Sequence, residues 1–76
     1  MNRYNDWLGL LKLANEDLEK FGYSLLIVEP ERGFYNCEIW KDGEMVELYA
    51  ENYYENELND LITEVWHYIN NILEEE

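Results

Sequence analysis

The sequence predicts an α+β fold in the order α-β-β-β-α: a three-stranded, mainly antiparallel sheet with the N- and C-terminal helices packed on one face. Three observations predict it. Apolar residues recur at spacings of three and four at both ends of the chain. The middle holds short runs rich in aliphatic and aromatic residues, separated by turn residues. Asp42-Gly43 between two such runs is the strongest two-residue hairpin sequence in the chain. With 76 residues, the chain forms a single domain, 1–76.

The first helix is expected over residues 2–21. Trp7, Leu8, Leu11, Ala14, Leu18 and Phe21 line one face, with Leu10 and Leu13 widening it. Lys12, Asn15, Glu16, Glu19 and Lys20 fill the other. Asn2 or Asn5 is a candidate cap, Asp6 suits the helix dipole, and Gly22 reads as the C-terminal stop. Strands are expected at Tyr23 to Glu29, Phe34 to Trp40 and Met45 to Ala50, with Pro30 to Gly33 as the first turn. The last helix is expected to start with Asn52 as N-cap and Glu55 three residues on, the spacing of a capping box. Its apolar face is Tyr54, Leu58, Leu61, Ile62, Val65, Ile69, Ile72 and Leu73. Glu57, Asp60 and Glu64 line up along its outer edge. Glu74 to Glu76 sit at the negative end of its dipole and are expected to fray. The order of strands in the sheet does not follow from these patterns.

A two-residue turn at Asp42-Gly43 implies a register. Ile39 would face Val46, Cys37 would face Leu48 and Tyr35 would face Ala50, all on the core face. The open face would pair Trp40 with Met45, Glu38 with Glu47, Asn36 with Tyr49 and Phe34 with Glu51. Two glutamates directly opposite each other cost about a few tenths of a kcal/mol. Such a local conflict is of the kind that marks a functional surface.

Charge is the compositional outlier: 18 acids against 5 bases, a net −13. That balance argues against direct binding to nucleic acid or to an anionic membrane and favours a basic partner. A single cysteine, Cys37, forms no internal disulfide and fits a reducing, intracellular setting. The N-terminal region has no secretory core, and no apolar run approaches the roughly 18 residues that cross a membrane. Catalytic chemistry finds little support. His67 is the lone histidine, Cys37 falls on the expected core face, and Ser24 is the lone serine. Zinc-ligand spacing, a calcium loop and a Gly-rich phosphate loop are all missing. The expectation is a non-enzymatic protein without metal or cofactor.

What remains is surface binding. Carboxylates spaced regularly on a rigid element imitate the phosphates of a nucleic acid, and a basic groove built to neutralise phosphates accepts them instead. Interleaved aromatics such as Trp40, Tyr49, Tyr53 and Tyr54 offer the anchors that an interface needs beyond charge. The candidate partner-binding residues are Glu38, Trp40, Asp42, Glu44, Glu47, Tyr49, Glu51, Tyr53, Glu55, Glu57, Asp60 and Glu64.

With its N-terminal helix, a meander carrying KDGEMVELYAENYYENEL and an acidic closing helix, the chain resembles the small inhibitors encoded by phages and mobile elements. In size, charge and element order it is similar to the type II-A anti-CRISPR proteins that mimic DNA. The resemblance covers most of the chain as architecture and includes no diagnostic motif. It implies a basic nucleic-acid-binding partner, a Cas nuclease blocked where its Arg side chains read the PAM duplex, inside the cytoplasm of a bacterial host. It also implies that acids are presented by Asp42 and Glu44 at the hairpin tip, and by Glu51, Glu55, Glu57, Asp60 and Glu64 around the last helix. Fewer acids cluster in the strand-to-helix connection here than in that family. The alternative is a non-catalytic interaction module, an immunity- or antitoxin-like protein or a homo-oligomer. It would use an aromatic and hydrophobic patch anchored on Trp40 or Trp66.

Overall fold

A computed structural model describes residues 7–75. Helix α1 (Trp7–Leu18) runs into one 3-10 turn, Glu19–Phe21. Strands β1 (Tyr23–Glu31), β2 (Phe34–Lys41) and β3 (Glu44–Tyr53) follow. A second 3-10 turn, Glu55–Glu57, leads into α2 (Leu58–Glu75). The sheet is a meander in the order β1-β2-β3, antiparallel throughout. This is the α+β, α-β-β-β-α architecture that the sequence predicts. The cap candidates Asn2, Asn5 and Asp6 lie outside the described residues.

Gly22 stops α1 because it takes a left-handed conformation, φ 83°, and donates its N–H to the Glu19 carbonyl at 3.0 Å. The same residue ties the helix end to the β2–β3 hairpin. Its carbonyl accepts the Asp42 N–H at 2.9 Å, and a Cβ at position 22 would stand 2.5 Å from Asp42 Oδ1. The hairpin itself has φ 52° at Asp42 and 87° at Gly43, the paired positive values that a type I′ turn requires.

Both helices pack on one face of the sheet. The buried core joins Ala14 and Leu18 of α1, Tyr23 and Leu25 of β1, Cys37 and Ile39 of β2, and Leu58, Leu61, Ile62, Val65 and Ile69 of α2. The helical members recur at three- and four-residue spacing, so one stripe of α2 is dry while its other faces stay wet. Each buried Leu or Ile stabilises the fold by roughly 1.5–3 kcal/mol. The molecule measures 36 × 28 × 18 Å, and its thinnest dimension fits one sheet and one helix layer. Among the described residues no element covers the other face of the sheet.

Asn15 departs from the expected pattern. Instead of facing solvent on the outer side of α1, it turns to the free edge of β1. Its Nδ2 donates to the Leu25 carbonyl at 3.2 Å and its Oδ1 accepts the Leu25 N–H at 2.7 Å. The side-chain amide thus stands in for one residue of a missing neighbour strand and blunts an otherwise sticky edge. Pro30, further along β1, lacks an N–H and sits where the β1–β2 register shifts.

The β2–β3 register differs from the expected one. Trp40 does face Met45, but Ile39 faces Glu47, Glu38 faces Leu48, Cys37 faces Ala50 and Tyr35 faces Tyr53. Irregularities intervene after each slip, and β3 therefore carries bulges along its free edge. The expected Glu38–Glu47, Asn36–Tyr49 and Phe34–Glu51 pairs do not form. A one-residue slip sends every later side chain to the opposite face. Here it trades Val46 and Leu48 for the larger Tyr49 and Tyr53, which pack against the core.

The start of the last helix also differs. β3 continues through Asn52, whose φ is 64° and whose N–H donates to Asn36 Oδ1 at 3.1 Å. The cap is Tyr54 instead: its N–H donates to Glu57 Oε1 at 2.9 Å, and its carbonyl accepts the Glu57 N–H at 2.9 Å, closing the 3-10 turn. Four expected members of apolar helix faces, Leu8, Leu13, Phe21 and Tyr54, are exposed, and Tyr54 lies against Phe34 with ring centroids 5.4 Å apart.

Candidate functional site

The register slip creates the most organised polar cluster on the surface. Glu47, expected on the open face beside Glu38, lies instead on the helix side of β3. There the Tyr68 hydroxyl of α2 donates to its Oε1 at 2.9 Å. In the reciprocal direction, the Tyr49 hydroxyl of β3 donates to Glu64 Oε2 of α2 at 3.2 Å. The two tyrosine rings pack with centroids 5.1 Å apart. A strand carboxylate and a helix carboxylate are thereby held on one flank by two phenols that cross between the elements.

Both phenols stay protonated well into the alkaline range. Burial, followed by the hydrogen bond to Glu64, pushes the Tyr49 hydroxyl up to about 12. The Tyr68 hydroxyl is raised first by its hydrogen bond to Glu47 and then by burial. Protonated phenols donate, so the restraint on the two carboxylates persists across the physiological range.

Of the other candidate acids, helical spacing adds Asp60 to this flank. Asp60 lies one helical turn before Glu64 and in the first turn of α2, at the positive end of its dipole. Glu57 spends one oxygen on the Tyr54 cap. Glu55 accepts the Trp7 indole N–H at 3.3 Å, which fastens the strand-to-helix connection to α1. Glu51 is exposed. Asp42 and Glu44 stand exposed at the hairpin tip. Tyr53 is half-buried and packed against the core, which makes it a support rather than a surface anchor. Glu38 and Trp40 belong elsewhere, on the sheet face away from the helices, where the Trp40 indole donates to Glu38 Oε1 at 2.9 Å. The candidates therefore divide between two surfaces.

The acids are little compensated. Among the described residues the one ion pair is Lys20 with Asp17, 3.8 Å apart. Lys41 lies over the Tyr23 ring, 4.9 Å from its centroid, and not against a carboxylate. Among the described residues no group of three or more His, Cys, Asp and Glu side chains comes together closely enough to hold a metal ion. Cys37 is fully buried, and that burial pushes its thiol up to about 12, so the reactive thiolate is suppressed.

One feature escaped sequence reasoning. An open groove of about 800 Å³ runs between α1 and α2 on the side away from the sheet, walled by Leu10, Leu13 and Trp66. Asp17 Oδ2 accepts the Trp66 indole N–H at 2.9 Å, which pins the two helices at this point. His67 is exposed on its rim. The widening of the α1 stripe by Leu10 and Leu13 was the available sign.

No protein-family model, curated protein or solved structure matches the chain. Among the described residues no helix is long and apolar enough to cross a membrane.

Proposed function

We propose that this protein is an acidic nucleic-acid mimic that occupies the basic groove of a DNA- or RNA-binding defence protein and blocks it sterically, with no catalytic step. The observation that carries the reading is the pairing of Glu47 and Glu64, held on one flank by Tyr68 and Tyr49. A flexible glutamate loses side-chain entropy when it is immobilised in an interface, about 0.5–1.5 kcal/mol each. Carboxylates already restrained by a hydrogen bond have lost part of it beforehand.

Magnitudes favour an array over any single contact. One exposed ion pair contributes about 0–1 kcal/mol and decides nothing by itself. A row of carboxylates with no cation against them, presented to a groove that binds phosphates, gains from each contact. Such contacts are screened by salt, so the binding weakens as ionic strength rises. Asp60, one helical turn before Glu64, extends the row, Glu51, Glu55 and Glu57 lie around the strand-to-helix connection, and Asp42 and Glu44 add a second projection at the hairpin tip. Within this class, the resemblance in size, charge and element order favours a phage-borne inhibitor of a Cas nuclease acting in a bacterial cytoplasm.

The experiment is capture from bacterial lysate on the immobilised protein at low salt, followed by elution with duplex DNA and, separately, with a salt gradient. The reading predicts a basic nucleic-acid-binding protein that both eluents release. A bound protein that neither DNA nor salt displaces contradicts it.

A further inference from the structure

The groove between α1 and α2 changes from apolar to acidic along its length. Trp7 meets Glu55 and Asp17 meets Trp66, so the two helices run in the same direction. Toward their N-terminal ends the groove is walled by Leu10, Leu13 and Trp66. Leu13 is 57% exposed, and the half-buried Trp66 is held in place by its indole bond to Asp17. Further along, both helices approach their C-terminal ends, and neither carries a basic residue in its last turn. The carbonyls at such ends favour cations. Glu16 and Asp17 line this part of the groove, and helical spacing places Glu74 one turn beyond Asn70. Lys20 is the one lysine or arginine in the lining. Its side chain is 68% exposed and stands 3.8 Å from Asp17, a surface pair that a competing cation readily displaces.

We propose that this groove docks a short basic amphipathic helix of a protein partner. The helix lays its apolar face on Leu10, Leu13 and Trp66 and brings a lysine or arginine to the acidic end. Seven residues separate Leu13 from Lys20, about 10 Å along a helix axis, so the anchor and the cation of the occupant stand about two turns apart. The groove is open along its length and encloses about 800 Å³, within the range of roughly 300–1,000 Å³ usual for ligand sites. An open trough between two helices takes a third helix laid into it. Charge sets the sign of the occupant. Two helix C-termini, Glu16 and a net charge of −13 repel an acidic segment, and with it a second copy of this chain. The order of apolar walls and acidic end sets its direction, which general attraction to a −13 surface does not. Glu64 turns toward Tyr49 of β3, away from α1, so the groove is a surface separate from the acidic flank, and its use does not depend on what the flank binds.

Proton–nitrogen NMR of the full chain, titrated with a synthetic peptide, tests this. The probe is an alanine-rich helix with two leucines one turn apart and two lysines two turns further on. Saturable shifts are expected at the Trp66 indole N–H and at the amides of Leu10 and Leu13. Two control peptides, with glutamate for lysine or alanine for leucine, bind about tenfold more weakly or worse. Leu13→Gln, at an exposed position, weakens the probe by a similar factor, while Lys20→Gln tightens it by removing the competing cation. Glu47→Gln with Glu64→Gln leaves the groove shifts and their midpoint unchanged, which separates this site from the flank. Shifts centred on the flank instead of the groove overturn the proposal, as does equal binding of the peptide without leucine. Groove shifts that appear when the chain alone is concentrated make a second copy the occupant and overturn it too. The control peptides keep the test decisive if a variant folds poorly by circular dichroism.

Discussion

The Tyr49 hydroxyl reaches from β3 to Glu64 Oε2 on α2 at 3.2 Å, and this bond exists because β3 is bulged. In the unbulged register Tyr49 would stand on the opposite face of the sheet, and Glu64 would have no phenol to bind. With the mirror-image bond from Tyr68 to Glu47, it makes the flank a constructed surface and not a chance gathering of acids.

Removing the phenol hydroxyls tests that construction. Tyr49→Phe and Tyr68→Phe each keep the ring and lose one hydrogen bond, with an expected cost of about 1 kcal/mol in urea unfolding. Affinity for a basic partner should fall several-fold even though no charge is removed. Unchanged affinity would mean that the carboxylates need no positioning.

Alkaline pH gives a second test, and its sign is determined. The Tyr49 phenol lies at about 12 in the folded chain against an ordinary 10.0, and the Cys37 thiol at about 12 against 9.0. A raised value means that the unfolded chain loses its proton first. The stability these groups contribute is complete below about pH 9, falls as Cys37 and then Tyr49 titrate in the unfolded state, and is lost by about pH 12. Urea midpoints measured between pH 8 and pH 12 should decline in the wild type. They should decline less in Tyr49→Phe.

Asn15 is expected to matter more than a surface residue of α1 normally does. Asn15→Ala leaves both the N–H and the carbonyl of buried Leu25 without their partner, at about 1–3 kcal/mol in urea unfolding. Asn15→Asp keeps an acceptor for the N–H but sets a carboxylate against the carbonyl, and should be destabilising as well. A cost below about 0.5 kcal/mol, usual for surface substitutions, would contradict the edge-capping role.

Gly22→Ala is expected to destabilise by about 1–2 kcal/mol, because a Cβ is disfavoured at φ 83°. The clash with Asp42 Oδ1 adds less, since that carboxylate can rotate away. The paired variant with Asp42→Gly measures the division. It should recover only the smaller part of the loss.

These features divide sharply by how local their causes are. The Asp42-Gly43 turn, the Gly22 stop and the apolar stripe of α2 were legible because each depends on a few neighbouring residues and one backbone geometry. The bulges were not. Alternation along EMVELYAENY supports Val46 and Leu48 facing inward as readily as Tyr49 and Tyr53. The choice is made by what α2 offers across the gap, namely the ring of Tyr68. Asn52, a residue type tolerant of positive φ, is the local sign of a bulge, but its three-residue spacing to Glu55 imitates a helix cap. The acid row on α2 followed from helical spacing. Its continuation onto β3 through Glu47 depended on the register and was hidden with it. Asn15 escaped notice because an amide that caps a strand edge has the same sequence pattern as one that faces water.

If the β3–α2 flank mimics nucleic acid, it competes with DNA for a basic groove. The most direct measurement is a titration of the captured basic partner with labelled duplex DNA. The competitor is the wild-type chain or the Glu47→Gln, Asp60→Asn, Glu64→Gln variant. The wild type should displace DNA, and rising salt should weaken it. The triple variant, still folded, should compete at least tenfold less well. Equal competition by both proteins, or simultaneous binding of DNA and wild type, would contradict it.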